Sequence, residues 1–74
     1  MDRKEFLLMC QRASLFDLKE IPEEYIVISD GIKYIPIGYE LKFNKGEPKH
    51  TAILQDRKSN SIIYARLESV TRDS

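Results

Sequence analysis

The side chains of this chain best suited to nucleophilic chemistry are its one thiol and one imidazole, Cys10 and His50. A thiol or hydroxyl nucleophile needs a base within hydrogen-bond reach and a further group to orient that base. Cys10 falls in the repeat Phe6, Met9, Cys10, Ala13, the apolar stripe of a helix, so it is expected as a core thiol kept inert by burial. His50 stands near the start of a strand as an ordinary surface or packing residue. The adjacent carboxylates Glu23 and Glu24 lie in a polar connection, away from the apolar surroundings that raise a carboxyl pKa for acid catalysis. Gly38 and Gly46 are isolated, so no phosphate-cradling loop is present. Asp56, Ser59 and Asn60 offer oxygens, but Arg57 and Lys58 interrupt them and the spacing is not that of a calcium loop. A single Cys and a single His also fall short of a structural zinc set. The expectation is a protein that is not an enzyme, with no cofactor and no metal site.

Binding chemistry is better represented. With the last hairpin closed by the five-residue loop Asp56 to Asn60, His50, Tyr64 and Arg66 share a face. An imidazole, a hydroxyl and a guanidinium there could grip a phosphate or carboxylate. A second group, Lys42, Lys45, Lys49, Arg57 and Lys58, gathers cations at two turns that could point the same way. Tyr39, Phe43 and Tyr64 are then available for base stacking, the make-up of a nucleic-acid or nucleotide site. The third group is Tyr25, Val27 and Tyr34, whose aromatic and aliphatic character suits an interface with a partner protein or a second copy.

These residues depend on elements that must position them. A helix is expected over about residues 3–14. Asp2 and Glu5 are spaced as a capping box, Met1 and Phe6 as a hydrophobic staple, and Leu7 widens the apolar stripe. Residues 15–24 read as an irregular acidic connection that Pro22 keeps from continuing the helix. From Tyr25 to Val70 the period is that of strands. Tyr25 to Ser29 turns through Asp30-Gly31 into Ile32 to Ile37, and Pro36 and Gly38 imply a bulge before Tyr39 to Phe43. Asn44-Lys45-Gly46, helped by Pro48, turns the chain into His50 to Gln55. A polar loop then leads to Ser61 to Leu67, which Val70 could extend. Residues 71–74 are expected to fray.

The two-residue turn fixes a register in which Val27 faces Tyr34. Ile26, Ile28, Ile35 and Ile37 then share one side of the sheet, and Tyr25, Val27, Ile32 and Tyr34 the other. Both sides are apolar, yet one short helix shields only one. Either the sheet curls into a small barrel or a second molecule covers the remainder. The expected fold is therefore α+β, an N-terminal amphipathic helix on a four-stranded antiparallel meander, with an SH3-like small barrel carrying an N-terminal helix as the alternative.

Seventy-four residues make one small domain, with a thin core and a large fraction of surface exposed. Its 12 basic and 12 acidic side chains cancel, which argues against nonspecific coating of nucleic acid, because such binding needs surplus cations to release counterions. The charge is unevenly spread, with −3 on residues 1–30 and +3 on the remainder. A lone cysteine does not fit a disulfide-stapled secreted scaffold, and the apolar run Phe6 to Cys10 is too short for a signal peptide or a membrane span. The expected location is the cytoplasm, with no membrane partner.

The Gly38-Tyr39 pair, the HTAIL run at His50 to Leu54 and the SNSIIY run at Ser59 to Tyr64 carry a resemblance. The stretch from Gly31 to Val70 is similar to small uncharacterised proteins encoded by phages and prophages of Gram-positive bacteria. That resemblance implies an accessory product acting by binding, an inhibitor or modulator of a host or defence protein, or a sponge for a nucleotide signal, in the bacterial cytoplasm. It transfers no functional residue.

Overall fold

The computed structural model describes residues 1–73. A helix α1 (Arg3–Ala13) is followed by two short 3-10 turns, Leu18–Glu20 and Glu23–Tyr25. Strands β1 (Val27–Ser29), β2 (Ile32–Asn44), β3 (Glu47–Gln55) and β4 (Ile62–Arg66) come next, and a 3-10 turn at Leu67–Ser69 leads to β5 (Thr71–Arg72). All pairings are antiparallel and the order across the sheet is β4-β3-β2-β1-β5. The edge strands β4 and β5 do not meet, so the sheet is open and the barrel alternative is set aside.

Helix α1 buries Phe6, Met9 and Ala13 at helical spacing, with Cys10 half-buried beside them. Leu7, expected to widen the stripe, is exposed. The capping box does not form: the Asp2 side chain makes no capping bond, and Glu5 instead lies 3.1 Å from Arg72 of β5. The first helical bond is from the Phe6 amide to the Asp2 carbonyl.

Asp30 and Gly31 both take positive φ, 52° and 76°, and the hairpin they close pairs Val27 with Tyr34 as expected. A type I′ turn demands positive φ at both positions, and Asp-Gly meets that demand at little cost. Lys45 (φ 53°) and Gly46 (φ 82°) make a second such turn, tighter than the sequence suggested, so Pro48 lies inside β3 opposite Phe43. The bulge falls between Pro36 and Gly38, as expected, and β2 bends there without ending. Its first part pairs with β1 and its longer second part with β3.

Two expectations about the C-terminal region are corrected. The sheet has five strands rather than four, because Thr71 and Arg72 pair with Ile28 and Val27 instead of fraying. The chain also crosses the sheet to reach that edge, and Leu67 and Val70 are buried on the way. One core cluster therefore joins Phe6 and Met9 of α1 to Val27, Tyr34, Ala52, Leu54, Leu67 and Val70. A second joins Ala13 and Ile21 to Ile26 and Ile35, with Leu18 and Tyr25 packed against it. Fully buried side chains such as Phe6, Leu54, Val27 and Val70 each contribute about 1.5–3 kcal/mol relative to exposure.

Candidate functional site

Cover is concentrated over one part of the sheet. Tyr34, Ile35 and Pro36 are consecutive and all buried, so both sides of β2 are covered there. Most of helix α1 and the Leu67–Val70 crossing shield the Tyr34 side, and Ala13 at the end of α1 together with the connection shields the Ile35 side. Beyond Pro36, the side of β2, β3 and β4 that continues from Ile35 loses its cover, and we call it the outer face.

Pairing defines this face row by row. Ile35, Gln55 and Ile62 form the first row, Gly38, Ile53 and Tyr64 the second, and Glu40, Thr51 and Arg66 the third. Lys42 and Lys49 form the fourth, and Asn44 and Glu47 the last before the Lys45 tip. Tyr64 is 62% exposed and Ile62 53%, while Ile53 between β2 and β4 is half-buried. The Lys42 ammonium stands 5.9 Å from the centroid of the Tyr64 ring, within reach of a weak cation–π attraction. Lys42 lies 3.8 Å from Glu40 and Arg66 lies 3.7 Å from Glu68, all of them substantially solvent-exposed. Exposed pairs of this kind hold side chains only loosely and leave them free to exchange partners.

This arrangement differs from each grouping expected from the sequence. Val27 and Tyr34 are not an interface: Val27 is fully buried and Tyr34 is 9% exposed, both in the core under α1. Tyr25 is half-buried, its ring 6.0 Å from that of Phe16. The surface reading failed because the crossing at Leu67 to Val70 supplies cover that a count of helices leaves out.

His50, Tyr64 and Arg66 do not converge. The loop between β3 and β4 closes on Asp56 and Ser61, with the Asp56 amide bonded to the Ser61 carbonyl, rather than after Asn60. Register therefore moves by one residue, Thr51 faces Arg66, and every side chain of β4 changes sides relative to the expectation. His50 points to the opposite side from Tyr64 and Arg66. Its Nδ1 is hydrogen-bonded to the Tyr39 hydroxyl, and the two rings stack at 5.9 Å. Signals for this closure were present: Asp56 Oδ1 accepts from the Lys58 amide in an Asx turn, and Asn60 takes φ 63°, a conformation asparagine tolerates well.

The basic turns are separated as well. Lys45 sits at the start of β3 and the loop bearing Arg57 and Lys58 at its end, so the two lie at opposite ends of a nine-residue strand. Arg57 donates to the Ile21 carbonyl at 3.0 Å and pins its loop to the connection. What the structure brings together instead is Lys42, Lys49, Arg66 and Tyr64, drawn from two of the expected groups.

No protein-family model matches the chain, and no curated protein or solved structure matches it either.

Beside the distal hairpin a cleft of about 640 Å³ opens between the start of α1 and β3, with Arg3, Glu47, Lys49, His50 and Glu68 among its walls. Its charges alternate in sign, which suits solvent better than an anion. Cys10 offers no nucleophile: burial pushes its thiol up to about 11, so at neutral pH it is protonated. Among the described residues no group of three or more His, Cys, Asp or Glu comes together as a metal site. No helix there is long and apolar enough to cross a membrane.

Proposed function

We propose that this chain is a non-enzymatic binding protein that engages another protein through the outer face of β2, β3 and β4. The observation that carries this reading is the uncovered middle of that face, where exposed Tyr64 and Ile62 adjoin Ile53 and are bordered by Lys42, Lys49 and Arg66. Tyrosine and arginine over an apolar floor are the residue types that concentrate binding energy at protein interfaces. The cations favour a partner surface carrying carboxylates. The resemblance of residues 31–70 to phage and prophage accessory proteins supports a finer version, in which the partner is a host or defence protein of the bacterial cytoplasm.

Single-stranded nucleic acid is the second reading, favoured by the cations around Tyr64. It is the weaker one. The face offers a single exposed aromatic among isoleucines, and the chain has no net positive charge. A photo-crosslinking amino acid at position 64, with a control at Ser59 in the far loop, tests both in producing cells. The protein reading expects a protein adduct from position 64 and none from 59. A nuclease-sensitive adduct would favour nucleic acid, and equal capture at both positions would discard the face altogether.

A further inference from the structure

The open sheet has two edges, and they are not equally protected. β5, on one side, is only two residues long, with Arg72 held by Glu5 at 3.1 Å. On the other side the edge is shared. Beyond Thr51 it belongs to β3, where the missing donor of Pro48 faces outward, and from Ile62 to Arg66 it belongs to β4. β4 carries none of the devices that blunt an edge: no proline, no bulge and no lysine, with its one charge, Arg66, at its end.

The loop before β4 sets which of its backbone groups are free. The Asp56 amide donates to the Ser61 carbonyl, and ladder bonds alternate from that closing pair, so Ile63 bonds to Leu54 and Ala65 to Ala52. The amides and carbonyls of Ile62, Tyr64 and Arg66 therefore point away from β3. Among the described residues, the Ser69 hydroxyl donates to the Arg66 carbonyl at 2.8 Å, and no turn, loop or side-chain bond reaches Ile62 or Tyr64. Such a row is a template for one further strand.

We propose that this strand is β4 of a second copy, paired antiparallel about a two-fold axis through Tyr64, so that the two sheets become one. β4 is complementary to itself in that register. Tyr64 exchanges a bond in each direction with Tyr64 opposite, and each Arg66 amide donates to the Ile62 carbonyl of the other copy. On the outer side ring meets ring and Ile62 meets the stem of Arg66, so like charges are not opposed. On the inner side half-buried Ile63 and Ala65 face one another across the join. A foreign strand meets the same backbone row, but the second copy matches it in length, direction and side chains at every position. The proposal stands apart from the outer-face reading, because edge pairing leaves that face open on both copies.

Sedimentation equilibrium of the full chain tests it. A five-residue strand buries an area at the small end for a specific complex, so loading extends to about 1 mM. The expected result is a species of twice 8.7 kDa, little affected by salt because the join is made of backbone bonds and apolar contacts. Tyr64→Pro removes a donor that β3 does not use and should leave a folded monomer by circular dichroism. Ile62→Lys sets a lysine opposite Arg66 twice by symmetry and should weaken association about fivefold or more, whereas Ile62→Glu should hold it within about threefold or tighten it. Ile62 is 53% exposed, so both of its variants report even if Tyr64→Pro does not fold. An 8.7 kDa species at every concentration overturns the dimer, and a dimer that survives in folded Tyr64→Pro overturns the edge as its site. Equal weakening by Ile62→Lys and Ile62→Glu overturns the register. A foreign-protein adduct from a residue-64 crosslinker in a chain that stays at 8.7 kDa overturns self-pairing while the outer-face reading stands.

Discussion

Replacing Tyr34 with alanine separates a core role from an interface role at the residue where they conflict most directly. Its ring packs among Phe6, Met9, Val27, Leu54 and Val70, and only 9% of the residue is exposed. Removing a buried aromatic side chain costs about 3–5 kcal/mol, the lost transfer energy plus the cavity left behind. At roughly 0.05–0.15 kcal/mol per residue, a chain of 74 residues has about 4–11 kcal/mol to lose from. Tyr34→Ala is thus expected to remove between a quarter and all of the stability. With a urea dependence near 1 kcal/mol per molar for so small a domain, the midpoint should fall by about 3 M or more. Urea titration followed by circular dichroism reads this directly, with Tyr64→Ala as the control. Tyr64 is 62% exposed, and its loss should move stability by no more than about 0.5 kcal/mol. If Tyr34→Ala keeps the wild-type midpoint, the placement of β1 and β2 beneath α1 is wrong.

Other outcomes follow from single features. Cys10, with its pKa near 11 rather than 9.0, carries about a hundredfold less thiolate at pH 7 than an ordinary thiol, so iodoacetamide should label it correspondingly slowly until urea unfolds the chain. The same shift makes folding bind a proton that the unfolded chain releases, so this group's contribution to stability falls as pH rises from about 9 to about 11; Cys10→Ser should flatten that part of a pH–stability profile. Asn60→Val forces a β-branched residue to φ 63° and should cost about 1–2 kcal/mol in thermal or urea unfolding, whereas Asn60→Gly should cost nothing. Replacing Leu41 through His50 by Asn-Gly, which joins the paired residues Glu40 and Thr51 by a two-residue turn, should leave a folded domain by circular dichroism.

Elements whose local signals agreed with their tertiary surroundings were legible in the sequence. The Phe6, Met9, Ala13 repeat specified a helix and its buried side, and Asp30-Gly31 left the first hairpin no freedom of register. The loop at residues 56–61 was harder, because its closing pair is set by side-chain bonds from Asp56 and Ser59 that a count of polar residues does not reveal. β5 was invisible for another reason. A strand of two residues has no periodicity, and this one is held from afar: the Asp73 amide donates to the Ile26 carbonyl, Lys33 lies 3.4 Å from Asp73, and Arg72 lies 3.1 Å from Glu5. The candidate site inherited both difficulties. One residue of slip in β4 dissolved the His50, Tyr64, Arg66 group and set Arg66 beside Lys49. Unforeseen cover from Leu67 and Val70 turned Val27 and Tyr34 into core.

Lengths explain why the exposed face lies where it does. An 11-residue helix rising 1.5 Å per residue reaches about 16 Å, while a 13-residue strand at 3.3 Å per residue reaches about 43 Å before bending. α1 therefore covers less than half of β2, and β4, with five residues, pairs only as far as Thr51 on β3. Residues 41–50 continue as a two-stranded ribbon with Phe43 69% exposed. A two-stranded ribbon alone is marginal in water, and its outer edge invites pairing with other chains. Pro48 restrains that tendency. Ladder bonds alternate from the closing pair Asn44 and Glu47, so the position of Pro48 opposite Phe43 turns its missing donor away from β2 and toward the open edge. Edge-to-edge pairing is thereby weakened without loss to the hairpin, and contact is directed to the faces of the ribbon, one bearing Lys42 and Lys49 and the other the exposed Leu41 and Phe43.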